Sequence, residues 1–88
     1  MRLIYSTQFK KDYKRIKRQE KDVTLLENVV KKLLKKEQLE PKYKDHKLAG
    51  RWKSFRDCHI EPDWILIYQL TEDTLILERT GSHSDLFR

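Results

Sequence analysis

Three histidines stand at positions 46, 59 and 83, and one cysteine at 58. These residue types build metal sites and nucleophiles when their spacing allows. Cys58 and His59 are adjacent in a segment that reads as a strand. Their side chains therefore point to opposite faces and cannot easily share one ion. No C-x-x-C or H-x-x-x-H spacing occurs, and no structural metal is expected. Cys58 sits in an apolar strand with no glycine-rich turn to expose it, so it reads as a packing residue.

The other polar groups gather at strand ends and loops. His46 lies in the loop before the strand-rich half. Asp57 and His59 share one strand face at spacing two. Asp63 follows in a turn, Arg79 lies near the end of the last strand, and His83 comes after it. Each has an ordinary explanation: Asp63 caps a turn, Arg79 pairs with a carboxylate, His46 is a loop residue. Together, imidazoles, a carboxylate and an arginine are the parts for acid–base work on a phosphodiester. RNA brings its own nucleophile, the 2′-OH, so a small basic domain without a metal can cleave it.

The elements that must position these groups follow from periodicity. RLIY, residues 2–5, reads as a strand. Ser6 or Thr7 then caps a helix on which Phe9, Tyr13 and Ile16 form one stripe. Asp22 caps a second helix, where Leu26, Val29, Val30, Leu33 and Leu34 repeat to about Gln38. Pro41 stops it. The two basic helices form an α-hairpin. Residues 52–60, 64–70 and 74–80 read as three strands joined by the turns Glu61-Pro62-Asp63 and Thr71-Glu72-Asp73, an antiparallel meander. The helices must cover one face of so small a sheet. The expected class is α+β, ordered β-α-α-β-β-β, a small antiparallel sheet packed on an N-terminal α-hairpin.

Composition narrows the function. Eighty-eight residues suit one domain, residues 1–88. The net charge is +6, and it is lopsided: residues 1–50 hold 15 basic and 7 acidic side chains, residues 51–88 hold 5 and 7. Such a surface attracts polyanions, or simply keeps a small protein soluble. With two glycines there is neither a GxGxxG nor a GxxxxGK nucleotide loop. The lone cysteine excludes an internal disulfide framework and fits a reducing cytosol. No apolar run approaches the roughly 18–20 residues of a membrane span, and MRLIYSTQFK lacks the apolar stretch of a signal peptide, so no membrane partner is expected.

Residues 42–70, KYKDHKLAGRWKSFRDCHIEPDWILIYQL, and 78–87, ERTGSHSDLF, resemble the YafQ-type toxins of the RelE/ParE superfamily, from bacterial type II toxin–antitoxin modules. The blocks YKDH…L.G, FRD.H.EPDWILIY and ER.G.H..LF carry the resemblance together; any one alone is weak. The resemblance implies a RelE-like fold and a cytoplasmic, ribosome-dependent endoribonuclease that cuts mRNA in the A site without a cofactor. It implies an antitoxin, usually acidic where it grips the toxin, and operator DNA reached only through the toxin–antitoxin complex. By position, His83 matches the general-acid candidate. His59 and Asp63 match the H.EPD block, His46 the KDH block, Arg79 the arginine after the last strand's glutamate, and Phe87 the C-terminal aromatic. On this reading Asp63 or His59 is the base, Arg79 steadies phosphorane charge, Phe87 stacks on a base, and helix lysines hold rRNA phosphates.

Two alternatives come from other classes. A ParE-type toxin inhibits gyrase and needs no acid–base groups gathered at one end of a sheet. A non-catalytic basic module would bind RNA or antitoxin only, and needs none of His46, His59, Asp63, Arg79 and His83 together.

Overall fold

The computed structural model, which describes residues 1–87, opens with strand β1 (Arg2–Tyr5). Helix α1 (Thr7–Arg18) follows at once, because Ser6 Oγ accepts the Phe9 N–H at 2.9 Å and so takes up an orphan donor of the first turn. Asp22 does the same for α2 (Val23–Leu34) through the Thr24 N–H. This second helix stops short of the expected Gln38. Lys36 adopts a left-handed φ of 58° and its N–H returns to Leu33 O, closing the helix end.

Four further strands complete the sheet: β2 (His46–Lys47), β3 (Arg56–Glu61), β4 (Trp64–Leu70) and β5 (Thr74–Gly81). Their order is β1-β5-β4-β3-β2. The meander β3-β4-β5 is antiparallel, as its tight turns require. β1 instead lies parallel to β5, with Leu3 opposite Leu75, so the sheet is mixed rather than wholly antiparallel. The helices leave the end of β1 and cover one face, and the last strand runs beside the first, which protects an otherwise open edge. β2 is two residues long, too short for periodicity to reveal, and it places His46 in the sheet rather than a loop.

β4 is covered on both faces. Trp64, Leu66 and Tyr68 pack with Phe9, Ile16, Leu26, Val29 and Leu33 under the helices. Ile65 and Ile67 point the other way, against Leu86, Leu48, Trp52 and Phe55. The alternation is that of a pleated strand. β3 begins at Arg56, later than expected, because Gly50–Trp52 forms a 3₁₀ turn, with Gly50 at φ 64°. Trp52 and Phe55 then meet edge to face, 5.6 Å apart, over Ile65 and Ile67. After β5 comes a short helix, α3 (His83–Leu86). Ser82 Oγ accepts the Asp85 N–H and Asp85 Oδ2 accepts the Ser82 N–H, a reciprocal cap. No helix among the described residues is long and apolar enough to cross a membrane.

Candidate active site

Strand register builds the site. His59 on β3 lies opposite Ile65 on β4, and Ile65 lies opposite Gly81 on β5. The chain leaving Gly81 enters α3 beside His59, so the rings of His59 and His83 meet edge to face at 5.3 Å. Asp63, in the β3–β4 turn, reaches the same helix. Its Oδ1 accepts both the His83 backbone N–H at 3.0 Å and the His83 ring Nδ1–H at 2.7 Å. An ionised carboxylate can only accept, which assigns the Nδ1 proton and leaves Nε2 facing outward. The backbone N–H and imidazole of His83 hold the Asp63 carboxyl below its ordinary value. Phe87 completes the edge, its ring 6.3 Å from that of His83 and well exposed.

A second row lies one step along the strands. His46 on β2 is opposite Asp57 on β3, Asp57 is opposite Ile67, and Ile67 is opposite Arg79. Asp57 is 4% exposed. Burial pushes its carboxyl above the ordinary value, and the charges of His46, His59 and His83 only partly oppose this. Its Oδ1 lies 3.2 Å from His46 Nδ1. That contact is electrostatic rather than an aligned hydrogen bond, since the same nitrogen donates to Lys44 O at 2.8 Å. Asp57 is thus a buried carboxylate coupled to all three imidazoles. Its spacing to His59 was the only sign of this in the sequence.

Arg79 is held from the helix side. Its Nε donates to Asp12 Oδ2 at 2.7 Å and its Nη2 to Asp12 Oδ1 at 3.2 Å, at the outer edge of β5. Asp12 is fully buried on α1. Sequence reasoning missed it, although it follows Phe9 by three positions and precedes Ile16 by four, inside the apolar stripe. Cys58 is fully buried, and burial pushes its thiol well above the ordinary range, which bears out packing over nucleophilic use.

Two depressions flank these groups. One of about 460 Å³, lined by Asp63, Glu61, Gln19, Lys21 and Ser82, adjoins the Asp63–His83 pair. A larger one of about 710 Å³ runs between α1, α2 and β1. Its lining is apolar, with Phe9, Tyr13, Leu26 and Val30, and carries Lys10, Lys14 and Lys31 against one acidic residue, Glu27; none of the histidines borders it. Among the described residues, no three His, Cys, Asp or Glu side chains converge as a metal cage.

The fold and this edge of imidazoles and carboxylates define a small toxin-like α+β protein, and comparison agrees. All of residues 1–88 match the family described as bacterial toxin of type II toxin–antitoxin system, YafQ. The chain is 48% identical over 84 residues to the mRNA interferase toxin YafQ of Escherichia coli K12, covering 94% of this chain and 91% of that one. It superposes on the toxin in the crystal structure of the E. coli DinJ–YafQ complex with a TM-score of 0.93, at 46% identity and with 100% of each chain covered. It superposes equally on a metal-bound toxin from Helicobacter pylori, with a TM-score of 0.92, 46% identity and 99% of each chain. The chain belongs to the YafQ family of bacterial type II toxins.

Proposed function

We propose that this toxin is a cytoplasmic, single-domain endoribonuclease that cuts mRNA in the ribosomal A site through the 2′-OH, without a metal. The observation that carries this reading is the His83–Asp63 pair beside His59 on an exposed edge. His59 accepts the 2′-OH proton, and the oxygen attacks phosphorus in line. His83 gives a proton from Nε2 to the departing 5′-oxygen. The products are a 2′,3′-cyclic phosphate and a 5′-hydroxyl. Of the two base candidates, His59 is favoured, because the low-lying carboxyl of Asp63 is a weak base. Asp63 instead orients His83 through two hydrogen bonds, and the buried Asp57 carboxyl interacts with the charges of His46, His59 and His83. Arg79 supplies positive charge near the phosphorane, and Phe87 stacks on a base.

The helix lysines hold rRNA phosphates without reading sequence. A sparse set of catalytic groups on a strongly cationic body suggests that the ribosome supplies substrate positioning. The antitoxin places an acidic, partly apolar segment in the groove between α1 and α2, whose apolar floor carries Lys10, Lys14 and Lys31. The complex then represses its own operon. The test is purified toxin with mRNA, free or on ribosomes, with and without EDTA. Cleavage is expected only on ribosomes and at the same rate in EDTA. Equal rates on free RNA would overturn ribosome dependence; loss in EDTA would overturn metal independence. Uncut mRNA with blocked gyrase supercoiling would favour the ParE-type alternative.

A further inference from the structure

Among the described residues, β1 pairs with β5 only as far as Leu77. Beyond that point the outer edge of β5 has backbone groups that need partners. Side chains of the first helix and its cap supply them. Ser6 Oγ donates to Glu78 O at 2.7 Å. Asp12 Oδ2 accepts the Thr80 N–H at 3.2 Å, and Arg15 Nη2 donates to Thr80 O at 2.9 Å. Asp12 and Arg15 also bind each other at 3.1 Å.

Both residues stand out from the rest of α1. Asp12 is its only acidic residue, and it is fully buried. Arg15 alone among the helix's basic residues is not exposed. Filling an open edge would need only one donor and one acceptor, but each residue reaches further. Asp12 grips the Arg79 guanidinium with both oxygens. Arg15 Nη2 also lies 3.7 Å from Asp85 Oδ2, on the residue that caps α3. Gly81 is the joint between β5 and α3. A Cβ there would come within 2.5 Å of Arg15 Nη2, so the joint is closed by the guanidinium itself.

We propose that Asp12 and Arg15 are positioning residues for the reaction centre. Asp12 fixes Arg79, and Arg15 fixes the joint from which α3 presents His83. The catalytic consequence rests on the nuclease reading above; the positioning itself does not. A planar guanidinium gripped by both oxygens of a buried carboxylate has a defined direction, which a free arginine lacks. Misplacement by about 1 Å can cost on the order of 10²-fold in rate.

The test uses the full chain with Asp12→Asn and Arg15→Gln. Asparagine keeps the volume and one acceptor but not the charge. On programmed ribosomes, kcat of folded Asp12→Asn is expected to fall on the order of 10²-fold while KM stays nearly constant. In Arg15→Gln, the Asp63 carboxyl, followed by ¹³C NMR, should titrate closer to its ordinary value, because a loosened α3 withdraws its two donors. A purely structural role would move melting temperature and leave both readouts unchanged in the folded fraction, and that result overturns the proposal. If Asp12→Asn does not fold, Arg15→Gln decides by the same titration. If the parent itself proves inactive on ribosomes, the nuclease reading fails and the NMR titration still decides the positioning.

Discussion

Two regions of this small protein each bury an aspartate, with opposite results. At the α1–β5 edge, Asp12 meets Arg79, Arg15, Gln8 and the Thr80 N–H. Burial alone would raise its carboxyl, but Arg79, the Thr80 N–H and Gln8 outweigh it and hold the group below its ordinary value. On the histidine face, Asp57 is nearly as buried; burial and the Asp45 charge raise its carboxyl, and the imidazole charges only partly oppose them. A buried charge surrounded by donors locks structure. A buried charge left short of donors is costly, and its use is to act on its neighbours. The first region fixes side chains and backbone in place, Arg79 among them, and the second sets the buried charge that the imidazoles face.

Substitutions in the two regions should separate them in graded steps. The largest effect is expected from His83→Ala. Its side chain is half exposed and lies beyond the last strand, so the fold should survive. Single-turnover cleavage should fall about 10²- to 10⁴-fold, as for loss of a general acid. Activity within about threefold of the parent, well short of that range, would remove His83 from the chemistry.

Next comes Asp12→Ala, which leaves two guanidinium groups and a backbone N–H without their acceptor. Both arginines keep some solvent contact, so the loss should be about 3 kcal/mol by denaturant unfolding. Asp57→Asn should change stability by less than about 1 kcal/mol while lowering activity. Equal stability losses at the two sites would erase the distinction drawn here. A smaller effect is expected from Phe87→Ala: about 1–2 kcal/mol of lost stacking, read as a raised KM with little change in kcat.

The smallest effect is in the pH dependence of unfolding. Asp12 has a folded pKa below its ordinary 3.8, so its stabilisation is present above that value and is lost as pH falls through the folded pKa. Asp57 has a folded pKa above 3.8, so its contribution is present below that value and is lost as pH rises through the folded pKa. Asp12→Asn should therefore flatten the acid limb, and Asp57→Asn should steepen it. Unfolding curves from neutral pH to well below 3.8 would separate them, and identical limbs would contradict the assignment.

Much of this was legible in the sequence, for identifiable reasons. The helix stripes, the caps Ser6 and Asp22, and the meander follow from periods and turn residues that act locally. His46, His59, Asp63, His83 and Phe87 come together because strand register and α3 carry them to one edge. The parallel pairing of β1 with β5 was hidden, since it joins the two ends of the chain and no local pattern encodes it. β2 and α3 were missed because two and four residues are too few to show a period. From the residues alone Arg79 read as a paired arginine, and the resemblance added a charge-stabilising role; the Asp12 grip shows the pairing, through a contact spanning nearly the whole chain. Asp12 went unremarked in the sequence, although its place in the apolar stripe marks it.

The proposed reaction needs the exposed histidine edge, without a metal, to make the 2′-OH of mRNA attack its own phosphodiester. The most direct test is single-turnover cleavage of ribosome-bound mRNA in EDTA, with a ribose or a 2′-deoxyribose at the scissile nucleotide. The ribose substrate should be cut, with a 2′,3′-cyclic phosphate at the new end, and the deoxy substrate should stay intact. Cleavage of the deoxy substrate, or an uncut ribose substrate that is cut once a divalent metal is restored, would contradict it.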